Sequence, residues 1–150
     1  MNAVVDTNVI AYYLLATEPF VDEARRFWRA VGRPQAPALW AAELANALWM
    51  AVRTGVLPAD EAHRRLHLAE RLHVRSAPIP TLWQGALARA VATGVAVYDT
   101  LFVELAARRG LPLVTFDARL LEAFPAVACR PGALVGSRGS RAYSRFQRRR

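Results

Sequence analysis

Lysine is missing from this chain of 150 residues, and all twenty of its basic residues are arginine. That absence excludes each chemistry built on a lysine: the phosphate-binding loop closed by a lysine, the Schiff base, and the lysine of a response-regulator receiver. Cysteine is nearly missing too. Cys129 stands alone, so no internal disulfide can form; within Ala126-Val127-Ala128-Cys129 it reads as a small core residue. No apolar run approaches the ~18 residues that a membrane-spanning helix needs. A basic leader is lacking at the N-terminus and Asp6 comes early, so a secretory signal is not expected. These absences together point to a cytoplasmic protein with no membrane partner.

What is present suffices for one globular domain: 54% of the residues are hydrophobic. The formal net charge is +8, but it is unevenly placed. Six arginines and no acid fall in residues 137–150, which leaves +2 for residues 1–136. From Gly132 onward apolar periodicity fades. The chain therefore divides into a domain over 1–131 and a basic, flexible tail over 132–150.

Within the domain, short apolar runs alternate with longer stretches at helical spacing. Residues 2–6 read as a strand, and 7–15 as a helix opened by Asp6-Thr7-Asn8. Further helices are expected over 18–31, 39–53, 58–72, 80–92 and 99–109, and from Asp117 to Phe124. Strands are expected near 35–38, 73–78, 111–116 and 127–130. This alternation predicts an α/β fold with a parallel sheet covered on both faces. In such sheets ligands gather at the carboxyl ends of the strands, beside a switch in strand order.

Four acids stand where acids are unusual. Asp6 closes Ala3-Val4-Val5, and Glu43 lies inside Leu39-Trp40-Ala41-Ala42-Glu43-Leu44-Ala45. Asp99 follows Val95-Ala96-Val97-Tyr98, and Asp117 follows Leu111 to Phe116. Carboxylates are rarely buried unless they are paired or bind a metal. Four of them entering from separate apolar elements imply one polar site at the edge of the core, suited to a hard divalent cation. Taken singly, Asp6, Asp99 and Asp117 also fit the role of helix caps. Glu43 does not, because a full turn on either side of it is almost wholly apolar.

The blocks around these acids resemble those of PIN-domain nucleases, especially the VapC toxins of bacterial toxin–antitoxin pairs. The opening Val4-Val5-Asp6-Thr7-Asn8-Val9-Ile10 resembles the family's first motif. Ala42 to Leu48, Tyr98 to Ala106 and Leu113 to Leu120 match in order and approximate spacing, over roughly residues 1–130. The resemblance implies a PIN-like three-layer α/β/α fold with a short parallel sheet. It implies a Mg²⁺ or Mn²⁺ site made from Asp6, Glu43, Asp99 and Asp117 as catalytic and metal-binding residues. Asn8 would orient Asp6, Thr115 matches the hydroxyl residue two before the last aspartate, and Glu104 sits where an additional acid sometimes stands. The family also implies a homodimer and an antitoxin partner whose amphipathic segment lies in a groove near the site.

Two other candidates compete. His63, His67 and Glu70 fall on one side of a helix at spacings that could hold zinc, but the acid of the zincin motif is replaced by Arg64. Ala62, Leu66 and Ala69 are expected to form that helix's buried stripe. In the tail, Arg138, Arg141, Arg145, Arg148, Arg149 and Arg150 interleave with Tyr143 and Phe146, a composition suited to RNA phosphates and stacked bases or simply to solubility. The sequence thus reads as a divalent-metal-dependent endoribonuclease, the toxin of a toxin–antitoxin pair. The alternatives are an RNA-processing PIN nuclease with no antitoxin, or a non-catalytic RNA-binding module in which the acids serve as caps.

Overall fold

The structure, a computed structural model, describes residues 1–135. Five parallel strands form one sheet in the order β3-β2-β1-β4-β5: β1 is Asn2–Val5, β2 Arg33–Pro37, β3 Arg75–Ala77, β4 Leu113–Val114 and β5 Ala128–Cys129. The chain lays β1 down first, winds outward to β2 and β3, then crosses back to place β4 on the other side of β1. That reversal makes the β1/β4 seam the switch point, and the register Val4↔Leu113, Val5↔Val114 aligns the carboxyl ends of both strands.

Two-residue periodicity sorts the strand side chains between two cores. Ala3, Val5 and Val114 enter one cluster with Val9, Ile10, Ala24, Phe27, Leu44 and Leu48. Val4 and Leu113 enter the other with Ala86, Leu101, Phe102 and Leu105. The first face is covered by α1 (Thr7–Leu14), α2 (Val21–Ala30), α3 (Leu39–Arg53) and α4 (Ala59–Glu70). The second is covered by α5 (Trp83–Thr93), α6 (Val97–Arg109) and α7 (Ala118–Ala123). The three-layer α/β/α architecture expected from the sequence is the one observed.

Three expectations need adjustment. β2 starts at Arg33 rather than near 35 and carries Pro34 and Pro37 in an interior strand. Each proline lacks one ladder donor, but both stay in register, opposite Ala3 and Ala77. Helix α6 begins at Val97, with Ala96 as its cap residue, so Asp99 lies within the first turn instead of opening the helix. A last helix, α8 (Pro131–Val135), continues past the boundary expected at residue 131. Pro131 and Leu134 are buried, and the Gly132 N–H donates to Glu23 of α2, so the packed body extends to Val135.

Candidate metal centre

Asp6 and Asp117 lie just beyond the carboxyl ends of β1 and β4, on either side of the switch point. Asp6 is 9% exposed and enclosed by donors. The Thr115 hydroxyl donates to Asp6 Oδ2 at 2.6 Å, the Asn8 amide donates to the same oxygen at 2.8 Å, and the Asn8 backbone N–H approaches Oδ1 at 3.5 Å. The Asn8 amide also donates to Thr115 at 3.2 Å, and Asn8 Oδ1 accepts from the Phe116 N–H at 3.2 Å. The Asp117 N–H donates to the Thr115 hydroxyl at 2.9 Å. Asn8 therefore joins the first motif to the last one, 107 residues along the chain from Thr115.

Glu43 projects from the second turn of α3, half-buried, and accepts a hydrogen bond from the Thr7 hydroxyl. Sequence reasoning passed over Thr7. Its signal was present in the Asp6-Thr7-Asn8 triplet, where a buried hydroxyl beside an acid needs a partner. Asp99, half-buried in the first turn of α6, makes no capping hydrogen bond. Asp117 caps α7, accepting from the N–H groups of Arg119 at 2.7 Å and Leu120 at 3.1 Å. Capping thus describes Asp6 and Asp117 in part, and does not account for Asp99 or Glu43.

The electrostatics tie the four acids together. Burial pushes the Asp6 carboxyl up to about 7; the bonds from Thr115 and Asn8 oppose this, and the charges of Glu43 and Asp99 add to it. Burial also raises Glu43, against the Thr7 bond and with help from Asp99. Asp99 is raised by burial and by Asp117, against the pull of Arg119. As the side chains lie, no three acids, histidines or cysteines among the described residues stand close enough together to grip one ion. The expectation that the four share ligand distance is not met in this arrangement. Asp6 and Glu43 instead accept hydrogen bonds from hydroxyl and amide donors.

The donor set nevertheless fits a hard divalent cation, as the distribution of counter-charges shows. Seven acids of the described chain are not exposed: Asp6, Glu23, Glu43, Glu61, Asp99, Glu104 and Asp117. Glu23 pairs with Arg130, Glu61 with Arg64 and Arg65, and Glu104 with Arg89 and Arg108. The remaining four have no arginine or histidine at ion-pair distance among the described residues, and they are the four nominated by the sequence. Uncompensated negative charge at a sheet edge is what a Mg²⁺ or Mn²⁺ site presents before it is filled.

Glu104 does not belong to this group. Arg89 donates to it at 2.8 Å across from α5, and Arg108 from one turn on. Burial raises its carboxyl, but the two guanidinium groups outweigh that and hold it below the usual range. Its supporting role at the metal site is replaced by a structural one, because two arginines already neutralise it. The tail arginines Arg138, Arg141, Arg145, Arg148, Arg149 and Arg150 lie outside the described residues. Of the alternative zinc set, His63 lines a groove between α3 and α4, whereas His67 and Glu70 stand in solvent 4.0 Å apart.

Residues 3–125 match the PIN domain. The chain belongs to the PIN-domain family. It is 36% identical over 131 residues to Ribonuclease VapC3 of Pyrobaculum aerophilum, covering 85% of this chain and 98% of that protein. Two solved structures share the fold. One is a toxin–antitoxin complex from Klebsiella pneumoniae, with a TM-score of 0.58 at 18% identity over 86% of this chain and 97% of that one. The other is VapBC2 from Rickettsia felis bound to a DNA fragment from its promoter, with a TM-score of 0.61 at 11% identity over 87% and 98%. In this PIN domain β1 and β4 lie side by side, and that adjacency brings the Asp6 and Asp117 blocks together.

Proposed function

We propose that this PIN domain is a Mg²⁺- or Mn²⁺-dependent endoribonuclease acting as the toxin of a toxin–antitoxin pair. The observation that carries the reading is the quartet Asp6, Glu43, Asp99 and Asp117, left without counter-charge while each other shielded acid holds an arginine. The identity to a ribonuclease along nearly that protein's whole length supports RNA as substrate.

These four carboxylates would hold the ion, which supplies a nucleophilic water and neutralises charge on the phosphate. The protein's own contribution is bracing. Thr115 and Asn8 fix the Asp6 carboxylate between two motifs, and Thr7 fixes Glu43. Burial in the β1/β4 crevice strengthens the field of the acids and limits competing water. Attack in line on the phosphodiester breaks the bond to the 3′-oxygen and leaves a 5′-phosphate and a 3′-hydroxyl.

An antitoxin partner is supported by the fold shared with toxin–antitoxin complexes and by an apolar groove of about 310 Å³ between α3 and α4. Trp49, Val52, Ala62, His63 and Leu66 line it; Trp49 is 52% exposed and Leu66 39%, so the stripe expected to be buried at Leu66 is partly open. Such a surface suits the apolar face of a partner helix. A second copy is the other expected partner, as a homodimer.

The test is cleavage of defined RNAs with and without Mg²⁺ or Mn²⁺ by the wild type and Asp6→Asn. Metal-dependent cleavage that is lost in the variant, with folding retained, is the expected result. RNA binding with no cleavage under any divalent ion would instead favour a non-catalytic binding module. Cleavage unaffected by a co-expressed product of the neighbouring gene would favour an RNA-processing enzyme.

A further inference from the structure

Six arginines of the described chain, Arg25, Arg64, Arg65, Arg89, Arg108 and Arg130, each have a carboxylate within 4.0 Å, and the other eight do not. Arg119 is one of these eight, and it stands beside two of the four acids, Asp117 and Asp99. Its backbone is fixed, because its N–H is held by Asp117 at 2.7 Å in the cap of α7. Its side chain crosses to the Gly94 carbonyl at 3.3 Å. Gly94, at φ 72°, makes the left-handed turn that closes α5 and starts the connection into α6, where Asp99 sits. Arg119 therefore spans the rim from the Asp117 side of the site to the Asp99 side, and the residue is exposed.

We propose that Arg119 is a positioning residue that grips an RNA phosphate next to the scissile one. This rests on the ribonuclease reading given above. A guanidinium carries five donors in a planar fork that matches two phosphate oxygens, and only one is engaged here, with a single exposed carbonyl. That weak bond is readily exchanged for a charged acceptor. The need is also specific to this site. The acid quartet repels a polyanion, and an ion held by it would neutralise charge on the scissile phosphate alone. A cation fixed at the rim gives the strand a second point of attachment and sets its direction across the crevice.

The experiment uses the full chain with Arg119→Gln and Arg119→Lys. Both keep the backbone N–H bonded by Asp117, so thermal melting should match the wild type. Steady-state cleavage of a short single-stranded RNA in Mg²⁺ or Mn²⁺ should show KM raised roughly tenfold or more for Arg119→Gln, with kcat changed less than about threefold. Arg119→Lys should recover part of the loss through its point charge. Binding is read separately, by fluorescence anisotropy in the inactive Asp6→Asn background. There the slope of log affinity against log salt should fall by roughly 0.7, one phosphate contact on a single strand. Unchanged KM and unchanged slope overturn the proposal, as does a loss confined to kcat. If the wild type cleaves nothing, the ribonuclease reading fails by itself, and the binding arm still decides: equal RNA affinity of Asp6→Asn with and without Arg119→Gln, or no RNA binding at all, overturns the role of Arg119.

Discussion

Asp6 shows how one side chain can answer to two demands. As the N-terminal cap of α1 it is an ordinary helix signal. As a buried acid lifted to about 7, it is costly to ionise without a cation. The sign of the resulting pH dependence follows from linkage. The folded state holds a proton on Asp6 more tightly than the unfolded chain does, so metal-free stability falls as pH rises between the unfolded value near 4 and the folded value near 7. Glu43 and Asp99, both raised, act in the same direction. Glu23, Glu61 and Glu104 are held low, so their stabilisation is lost only on more acidic titration, outside this window. Metal-free protein should therefore gain on the order of 2 kcal/mol when taken from pH 8 to pH 5. Asp6→Asn should flatten most of that slope and melt higher at pH 8. Thermal melts in chelator across this range make the comparison, and an equal slope in both proteins would remove Asp6 as its source.

Thr7 carries the second expectation at this scale. Thr7→Val keeps the shape of a buried residue on α1 but takes the donor from Glu43. The fold should survive, since α1 keeps its Asp6 cap and its apolar face. Cleavage should fall roughly tenfold, the effect of misplacing one braced ligand. Activity equal to the wild type at saturating metal would show that Glu43 needs no brace.

Between elements, the junction of α5 and α6 illustrates what sequence could and could not reveal. Helix periodicity, the glycine stops at Gly94 and Gly110 and the apolar run of β4 were all readable, because each is set by neighbours in the chain. The four acids were readable for the same reason: their apolar flanks mark them as shielded. The pairing of Glu104 with Arg89, fifteen residues away on another helix, was not. It depends on how close α5 and α6 approach, and that is set by Gly85, where a Cβ would collide with the Glu104 carboxylate. Gly85→Ala should accordingly push Glu104 off its arginines and cost about 1–3 kcal/mol, the penalty for a shielded charge left without its hydrogen bonds. Glu104→Gln should cost less and leave cleavage intact at a temperature where the protein is folded. Cleavage lost in a well-folded Glu104→Gln protein would return Glu104 to the metal site. The start of α6 was misplaced for a related reason: Asp99 looks like a cap in sequence, whereas the helix starts at Val97 behind Ala96, which makes no side-chain cap bond, and Asp99 falls half-buried in the first turn.

At the scale of the whole molecule, charge is divided by sign and place. Residues 1–136 carry only +2, with uncompensated acid at the β1/β4 crevice, and residues 137–150 add six arginines. A polyanion approaching such a body meets repulsion at the centre that must cleave it until a cation is bound there. Attraction has to come from elsewhere, and the candidates are the phosphate contact proposed for Arg119 and the six arginines of residues 137–150. Deleting 137–150 removes none of the proposed ligands and stops short of α8, whose buried Pro131 and Leu134 and whose Glu23–Gly132 bond close the packed body. The shortened protein should therefore melt like the full chain and turn over saturating RNA at the same rate. Its RNA affinity should drop, and the decline of affinity with salt should become shallower, because fewer counterions are released on binding. The association rate at low salt should suffer most, since long-range steering scales with net charge. Identical salt slopes for the two lengths would assign the encounter to arginines of the folded body and reduce the tail to a solubilising segment.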